Sequence, residues 1–249
     1  MSANPTTPWE DTFRVRSYEA DANGFASPVS ICNYIQESAG NHAHHLGFAI
    51  DQLMERERTW VLFRLSLRMN AYPRWRDDIV VTTWPAGAHR IYAHRDFLVR
   101  DLQGGSLGAA GSIWLLVDLN TRRPLKMPAE IDAMAMKDRP RARSADLEKR
   151  LVPPKNPAME RRFIARTSDI DVNRHVNNVR FIDWALEAVP RDVREQKRLV
   201  ELDAEFLAEG FDGDEVASAA EDCGEGRYAH HISRVSDDKR LAIAMSRWG

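Results

Sequence analysis

Two stretches of the chain carry apolar residues at helical spacing. Ile31, Ile35, Ala39, Ala43 and Leu46 recur at three- and four-residue steps, and Val179, Ile182, Leu186 and Val189 do the same. The first stretch predicts a helix over about 28–46, capped by Ser27 with Pro28 at its first position and stopped by Gly47. The second predicts a helix over about 178–189, opened by the Asn177-Asn178 pair and ended by Pro190. After each helix the pattern changes to strands, at 60–69, 79–85, 90–100 and 107–119 in the first half and at 199–207, 215–221, 227–235 and 241–248 in the second. Asp101-Leu102-Gln103-Gly104-Gly105 supplies a hairpin turn.

The parallel between the halves extends to individual residues. FRVRSYEADANG begins at Phe13 and FIARTSDIDVNR at Phe163, a spacing of 150 that sets Asp21 on Asp171, Asn23 on Asn173 and Glu37 on Glu187. Each half reads as strand, short polar loop, capped helix and antiparallel strands, an α+β plan with one helix against a curled sheet. The predicted organisation is an N-terminal unit over 1–120, a connector over 121–160 and a C-terminal unit over 161–249.

Composition narrows the picture. Hydrophobic residues make up 43% of the 249 residues, enough for a sizeable core, and the net charge of -2 gives no reason to expect a nucleic-acid partner. Only two cysteines occur, Cys32 and Cys223, in no metal or disulfide pattern, which points to a reducing compartment. The opening MSANPTTPWED has neither a basic start nor an apolar run, and no stretch reaches membrane-spanning length. A cytoplasmic protein with no membrane insertion is the expectation. Charge is uneven: Thr121 to Arg162 holds 12 Lys/Arg against 6 Asp/Glu, including Lys137, Arg139, Arg141, Arg143, Lys149 and Arg150. That segment reads either as a solvated connector or as a docking surface for an acidic partner. His42, His44 and His45 have no acidic partners at metal spacing and read as a surface or partly packed cluster. Trp60, Trp75, Trp84 and Trp114 read chiefly as core, with one or two available to line a tunnel, and Asp77-Asp78 as a turn.

The segment DVNRHVNNVRFIDWALEAVP, Asp171 to Pro190, resembles the DxNxHVNNxxYxxW signature of the acyl-acyl carrier protein thioesterase family of plants and bacteria, with Phe181 at the aromatic position. AYPRWRDDIVVTTWP from Ala71, RDFLVRD from Arg95, SIWLLVDLNTRRPLKMP ending at Pro128 and FLAEGFDGDEV from Phe206 are similar to further family segments. The resemblance implies a double (tandem) hotdog fold, hydrolysis of fatty acyl thioesters, and acyl carrier protein with its acylated phosphopantetheine as partner. It implies no metal and no organic cofactor. The duplicated halves allow a monomer; a homodimer is equally open.

Thioester hydrolysis needs a polarised carbonyl, an activated water and a stabilised oxyanion. If 171–175 is extended, Asp171, Asn173 and His175 share one side while Val172 and Arg174 turn away. Free N–H groups at the following helix start would form an oxyanion hole. His175 is one candidate base because imidazole titrates near neutrality. The family resemblance supplies Glu209 as the other, and assigns the catalytic set Asp171, Asn173, His175 and Glu209. Asn173 would orient water or carbonyl, and Asp171 would orient its neighbours or attack directly. Asn177, Asn178, Arg174 and Arg180 are the candidate substrate contacts. Plant members commonly carry cysteine just after the glutamate; Gly210 stands here, which argues against a cysteine acyl-enzyme. A DxNxH sequence before a helix is also a common cap and turn with no chemistry.

The repeat separates the halves. His175 shifts back to Phe25, and matching Asp78-Ile79-Val80 with Asp214-Glu215-Val216 sets Glu209 opposite Pro73. The first half then lacks both proton-transfer groups, which assigns chemistry to the second half and acyl-chain accommodation to the first. Thioesters of coenzyme A, or binding without hydrolysis, are the alternatives on the same fold.

Overall fold

The computed structural model describes residues 7–143 and 146–249. Residues 1–6, part of the segment read for an export signal, and residues 144–145 of the basic connector lie outside the described residues. Two compact units result: one takes the chain up to Phe63 together with Met69–Leu147, the other Arg64–Arg68 and Glu148–Gly249.

The first unit runs β1 (Trp9–Arg14), α1 (Pro28–His45), α2 (Ile50–Met54), β2 (Arg58–Met69), β3 (Asp78–His89), β4 (Tyr92–Asp101), β5 (Ser106–Asp118) and α3 (Ala129–Ala133). Its antiparallel strands lie in the order β1-β3-β4-β5-β2. The second runs β6 (Met159–Ile164), α4 (Asn178–Glu187), α5 (Arg191–Gln196), β7 (Leu199–Phe206), β8 (Glu215–Asp222), β9 (Arg227–Arg234) and β10 (Lys239–Trp248), in the order β6-β8-β9-β10-β7. Arg64–Arg68 pair with β7. Strand for strand, the two orders are the same.

The helices form where the apolar spacing places them. Ser27 Oγ accepts the Ser30 N–H at 3.1 Å, and α1 buries Ile31, Ile35, Ala39 and His42 along one stripe. Asn177 Oδ1 accepts the Val179 N–H at 3.0 Å, and α4 buries Val179, Phe181, Ile182, Ala185 and Leu186. Helix α4 stops at Glu187 because Pro190 follows and caps the separate short helix α5. Neither α2 nor α5 was foreseen; five and six residues are too few to show helical spacing. The hairpin turn is closed by Asp101, whose Oδ1 accepts the N–H groups of Gln103 at 2.9 Å and Gly105 at 2.7 Å.

Several cations of the basic connector are exposed yet tied to partners. Lys137 pairs with Asp132 at 2.7 Å, and the Arg139 guanidinium lies 4.2 Å from the Trp84 ring centroid. Arg141 makes two bonds of 2.9 and 3.0 Å to the fully buried Asp96, which also accepts the Ala142 N–H. In the second unit, Arg150 pairs with the buried Glu205 at 2.7 Å, and Glu205 accepts the Leu151 N–H and pairs with buried Arg64. Leu147 packs on Phe63 and Ile113, and Met127 and Ile131 pack with Leu53 and Leu116. The segment is strapped down by two buried carboxylates and by its own apolar residues.

Among the four tryptophans expected in the core, Trp84 is buried, whereas Trp75 is 47% exposed with Arg76 stacked on it at 4.3 Å. His42 is buried with Arg95 Nη1 at 3.0 Å from its Nδ1, and burial pushes its pKa down to about 3. His44 and His45 face outward.

Candidate active site

The loop between β6 and α4 is a tight turn, not the extended stretch expected. The Asp171 N–H donates to the His175 carbonyl and the Arg174 N–H to the Asp171 carbonyl, each at 2.9 Å. Asp171 Oδ1 accepts the Asn173 N–H at 2.8 Å, an Asx turn that fixes the aspartate. Arg174 takes a φ of +64°, a left-handed conformation that a side chain disfavours. The expected alternation nevertheless holds in exposure: Val172 and Arg174 are exposed, while Asp171, Asn173 and His175 are half-buried. A turn achieves what extended backbone was expected to do.

A second turn, Glu209 to Asp214, meets this loop. The Val176 N–H donates to the Gly210 carbonyl at 2.8 Å, which draws the two turns together. His175 Nε2 then lies 3.5 Å from Glu209 Oε2, and the Phe211 ring stands edge-on to the imidazole at 5.3 Å between centroids. At 3.5 Å the pair is in ion-pair range and long for a strong hydrogen bond. A Cβ at Gly210 would sit 3.0 Å from Val176 Cγ2 and 3.1 Å from Phe181 Cζ, so any side chain here presses on its neighbours by a few tenths of an ångström. A cysteine at this place would meet that tight contact.

The candidate substrate contacts divide. Asn177 is the helix cap, and its carbonyl accepts the Arg180 N–H at 2.8 Å. The helix start is therefore partly satisfied, contrary to a set of free donors. Along 171–178, the N–H groups of Val172, His175 and Asn178 have no acceptor among the described residues, and Val172 is turned outward. Arg180 is held by Asp169 at 3.2 Å and Asp183 at 3.5 Å, while Arg174 projects exposed beside His175. Asp183 is pushed above the usual carboxylate range, chiefly by burial, although Arg180 opposes this.

The first unit repeats the scaffold with different side chains. Asp21 Oδ1 accepts the N–H groups of Asn23 at 2.9 Å and Phe25 at 3.0 Å, Gly24 has a φ of +77°, and the Ala26 N–H donates to the Pro73 carbonyl at 2.9 Å. Pro73 is thus the counterpart of Gly210, and Tyr72, not Pro73, is the counterpart of Glu209. Strand register agrees: Phe13 pairs with Ile79 and Phe163 with Val216. The sequence match slipped by one residue because Asp77 and Asp78 are adjacent. Asp77 Oδ2 accepts the Arg74 N–H at 2.7 Å, as Asp214 Oδ2 accepts that of Phe211 at 2.9 Å, while Asp78 pairs with Arg14. The conclusion drawn from the match is unchanged: Phe25 and Tyr72 stand where His175 and Glu209 stand.

Sequence reasoning missed Phe211 and Arg234. The Arg234 Nη2 donates to the Glu209 carbonyl at 2.8 Å, and its Nε to Asp214 Oδ2 at 2.9 Å. No local motif marks it; only the β8–β9 register, which pairs Arg234 with Val216, places it there.

A helix laid against an antiparallel sheet, occurring once in each unit and carrying a His–carboxylate pair in the second, defines the tandem hotdog class. The chain belongs to the acyl-ACP thioesterase family: the family's N-terminal domain model matches residues 7–135 and its C-terminal domain model residues 153–249. It is similar to the palmitoyl-acyl carrier protein thioesterases of Cuphea hookeriana and Arabidopsis thaliana chloroplasts, with 30% identity to each over 96% of this chain. The chain spans 62% of the length of the first relative and 63% of the second. Among solved structures it is similar to an acyl-ACP thioesterase from Bacteroides thetaiotaomicron, with 26% identity, TM-score 0.88, and 97% and 98% of the two chains covered. A 12:0-ACP thioesterase from Umbellularia californica matches at 26% identity and TM-score 0.87, with 97% of each chain covered.

Proposed function

We infer that this protein hydrolyses fatty acyl thioesters of an acyl carrier protein, giving free fatty acid and holo carrier, with the chemistry in the second unit. The observation that carries this reading is the approach of His175 Nε2 to Glu209 Oε2 at 3.5 Å. The pair is present only in the half that retains the family signature. A water oxygen attacks the carbonyl carbon and its proton passes to the His175–Glu209 pair. The C–S bond then breaks, and the departing sulfur takes up that proton. The N–H groups of His175 and Asn178 are the donors available to the oxyanion.

Asp171 serves as the organiser of the turn rather than as a nucleophile, since its Oδ1 already holds the Asn173 N–H. Arg174 is the cation free to meet phosphopantetheine or an acidic carrier, Arg180 being held by two aspartates. The first unit, with Phe25 and Tyr72 in place of the polar pair, accommodates the acyl chain. A cytoplasmic location accords with two free cysteines, one of them buried.

The test is thiol release from one acyl chain presented on carrier protein and on coenzyme A. Faster turnover on the carrier supports the reading. Faster turnover on coenzyme A makes the protein an acyl-CoA thioesterase, and binding without thiol release makes it a non-hydrolytic acyl-thioester binder.

A further inference from the structure

We propose that Arg234 is the positioning residue that sets Glu209 against His175, an inference that rests on the hydrolase reading above. Three of its guanidinium nitrogens are engaged: Nη2 with the Glu209 carbonyl at 2.8 Å, Nε with Asp214 Oδ2 at 2.9 Å and Nη1 with Asp237 Oδ2 at 3.2 Å. Its side chain is only 16% exposed, and its Cζ lies 5.6 Å from the centroid of Phe211, the ring that stands against His175. One planar cation thus touches both neighbours of the imidazole, the main chain of the carboxylate residue and the aromatic ring. A rigid fork of donors suits this task better than a flexible ammonium.

The duplicated scaffold shows that closing the turn does not require an arginine. In the first unit the same turn is closed by Asp77 accepting the Arg74 N–H at 2.7 Å, just as Asp214 accepts that of Phe211. Val216 pairs with Arg234 and its counterpart Ile79 pairs with Asp101, so an aspartate occupies the arginine's place there. Asp101 is engaged elsewhere, in its own hairpin. Among their differences the halves carry Phe25 for His175, Tyr72 for Glu209 and Asp101 for Arg234. The arginine is present where the carboxylate and imidazole are present. Glu209 is 43% exposed on its side chain, so fixing its backbone narrows the positions its carboxylate can take.

The experiment is a mutant cycle on the full chain, with kcat and KM measured for an acyl-carrier thioester in wild type, Arg234→Gln, Glu209→Gln and the double variant, each checked by thermal melt. Arg234→Gln is expected to lower kcat by roughly ten-fold or more while KM stays within about two-fold, and Arg234→Lys to recover only part of the loss. In the Glu209→Gln background, Arg234→Gln is expected to have no further effect on kcat. Equal losses in both backgrounds would show a merely structural arginine and overturn the proposal. A crystal structure of Arg234→Gln tests the same point without turnover: the 3.5 Å separation of His175 and Glu209 opens if the proposal holds and is unchanged if it fails. A wild type that releases no thiol sinks the hydrolase reading, while that structural comparison still decides the role of Arg234.

Discussion

Arg174 and Gly24 occupy the same place in two copies of one turn, with φ of +64° and +77°. The first copy meets the backbone demand with glycine; the second holds a long cation in a left-handed conformation that costs about 1 kcal/mol. The strain and the exposed guanidinium stand together beside His175, and replacing the residue tests whether they serve substrate. Arg174→Gly is therefore expected to raise stability by up to about 1 kcal/mol and to raise KM for the carrier substrate. Urea denaturation together with steady-state kinetics checks both; unchanged KM would remove Arg174 from substrate contact.

Loss of the imidazole should stop chemistry without unfolding the protein. His175→Ala is expected to lower turnover by at least roughly ten-fold with an unaltered melting transition, since His175 is only half-buried. Wild-type turnover in that variant would exclude His175 from the mechanism.

Gly210 offers a test of packing against chemistry. Gly210→Cys places a Cβ 3.0 Å from Val176 Cγ2 and is expected to destabilise by about 1–3 kcal/mol, with lower activity because the Gly210 carbonyl ties the two turns together. A stable, fully active Gly210→Cys protein would show that this neighbourhood yields freely.

His230 makes stability depend on acid. It is fully buried, its Nε2 lies 2.8 Å from Ser246 Oγ, and burial pushes its pKa down from 6.5 to about 3. The unfolded chain takes up a proton on this residue as pH falls below about 6.5, whereas the folded chain resists until about 3. Its contribution is thus complete above pH 6.5 and is lost as pH drops toward 3, the loss reaching roughly 2 kcal/mol by pH 5. His42, lowered in the same direction, adds to the slope. Urea midpoints at pH 7.5 and pH 5 should differ less in His230→Gln than in wild type; an identical acid loss would contradict the assignment.

Glu205→Ala leaves Arg64, whose side chain is 5% exposed, without its buried partner and releases Arg150 and the Leu151 N–H. A loss of about 3 kcal/mol is expected, measurable as a fall in denaturation midpoint. A loss no greater than that of an exposed ion pair would mean that the strap is dispensable.

Long elements were legible because their signals are local. The stripe of Ile31, Ile35 and Ala39, the Ser27 cap and the alternation of the strands placed both helices and eight strands to within a few residues. The short helix α5 has no such signal, and the fate of the connector cations depends on Asp96, Trp84 and Glu205, which are remote in sequence. The site was legible to the extent that its residues sit in one turn. Asp171, Asn173 and His175 were found from a contiguous motif, and Glu209 from family resemblance. Arg234 joins through strand register alone, and the one-residue slip at Tyr72 came from a doubled aspartate that letters could not resolve and hydrogen bonds did.

The fastening of the connector bears on ionic strength. A run of twelve cations over Thr121–Arg162 looks from its letters like a beacon for anything negative. Lys137, Arg141 and Arg150 each already face a carboxylate within their own unit, so the fields of these three largely close on themselves at short range, whereas Arg139 stacks on the neutral Trp84 ring. Capture of an anionic macromolecule would then respond to added salt less steeply than a tally of all twelve suggests.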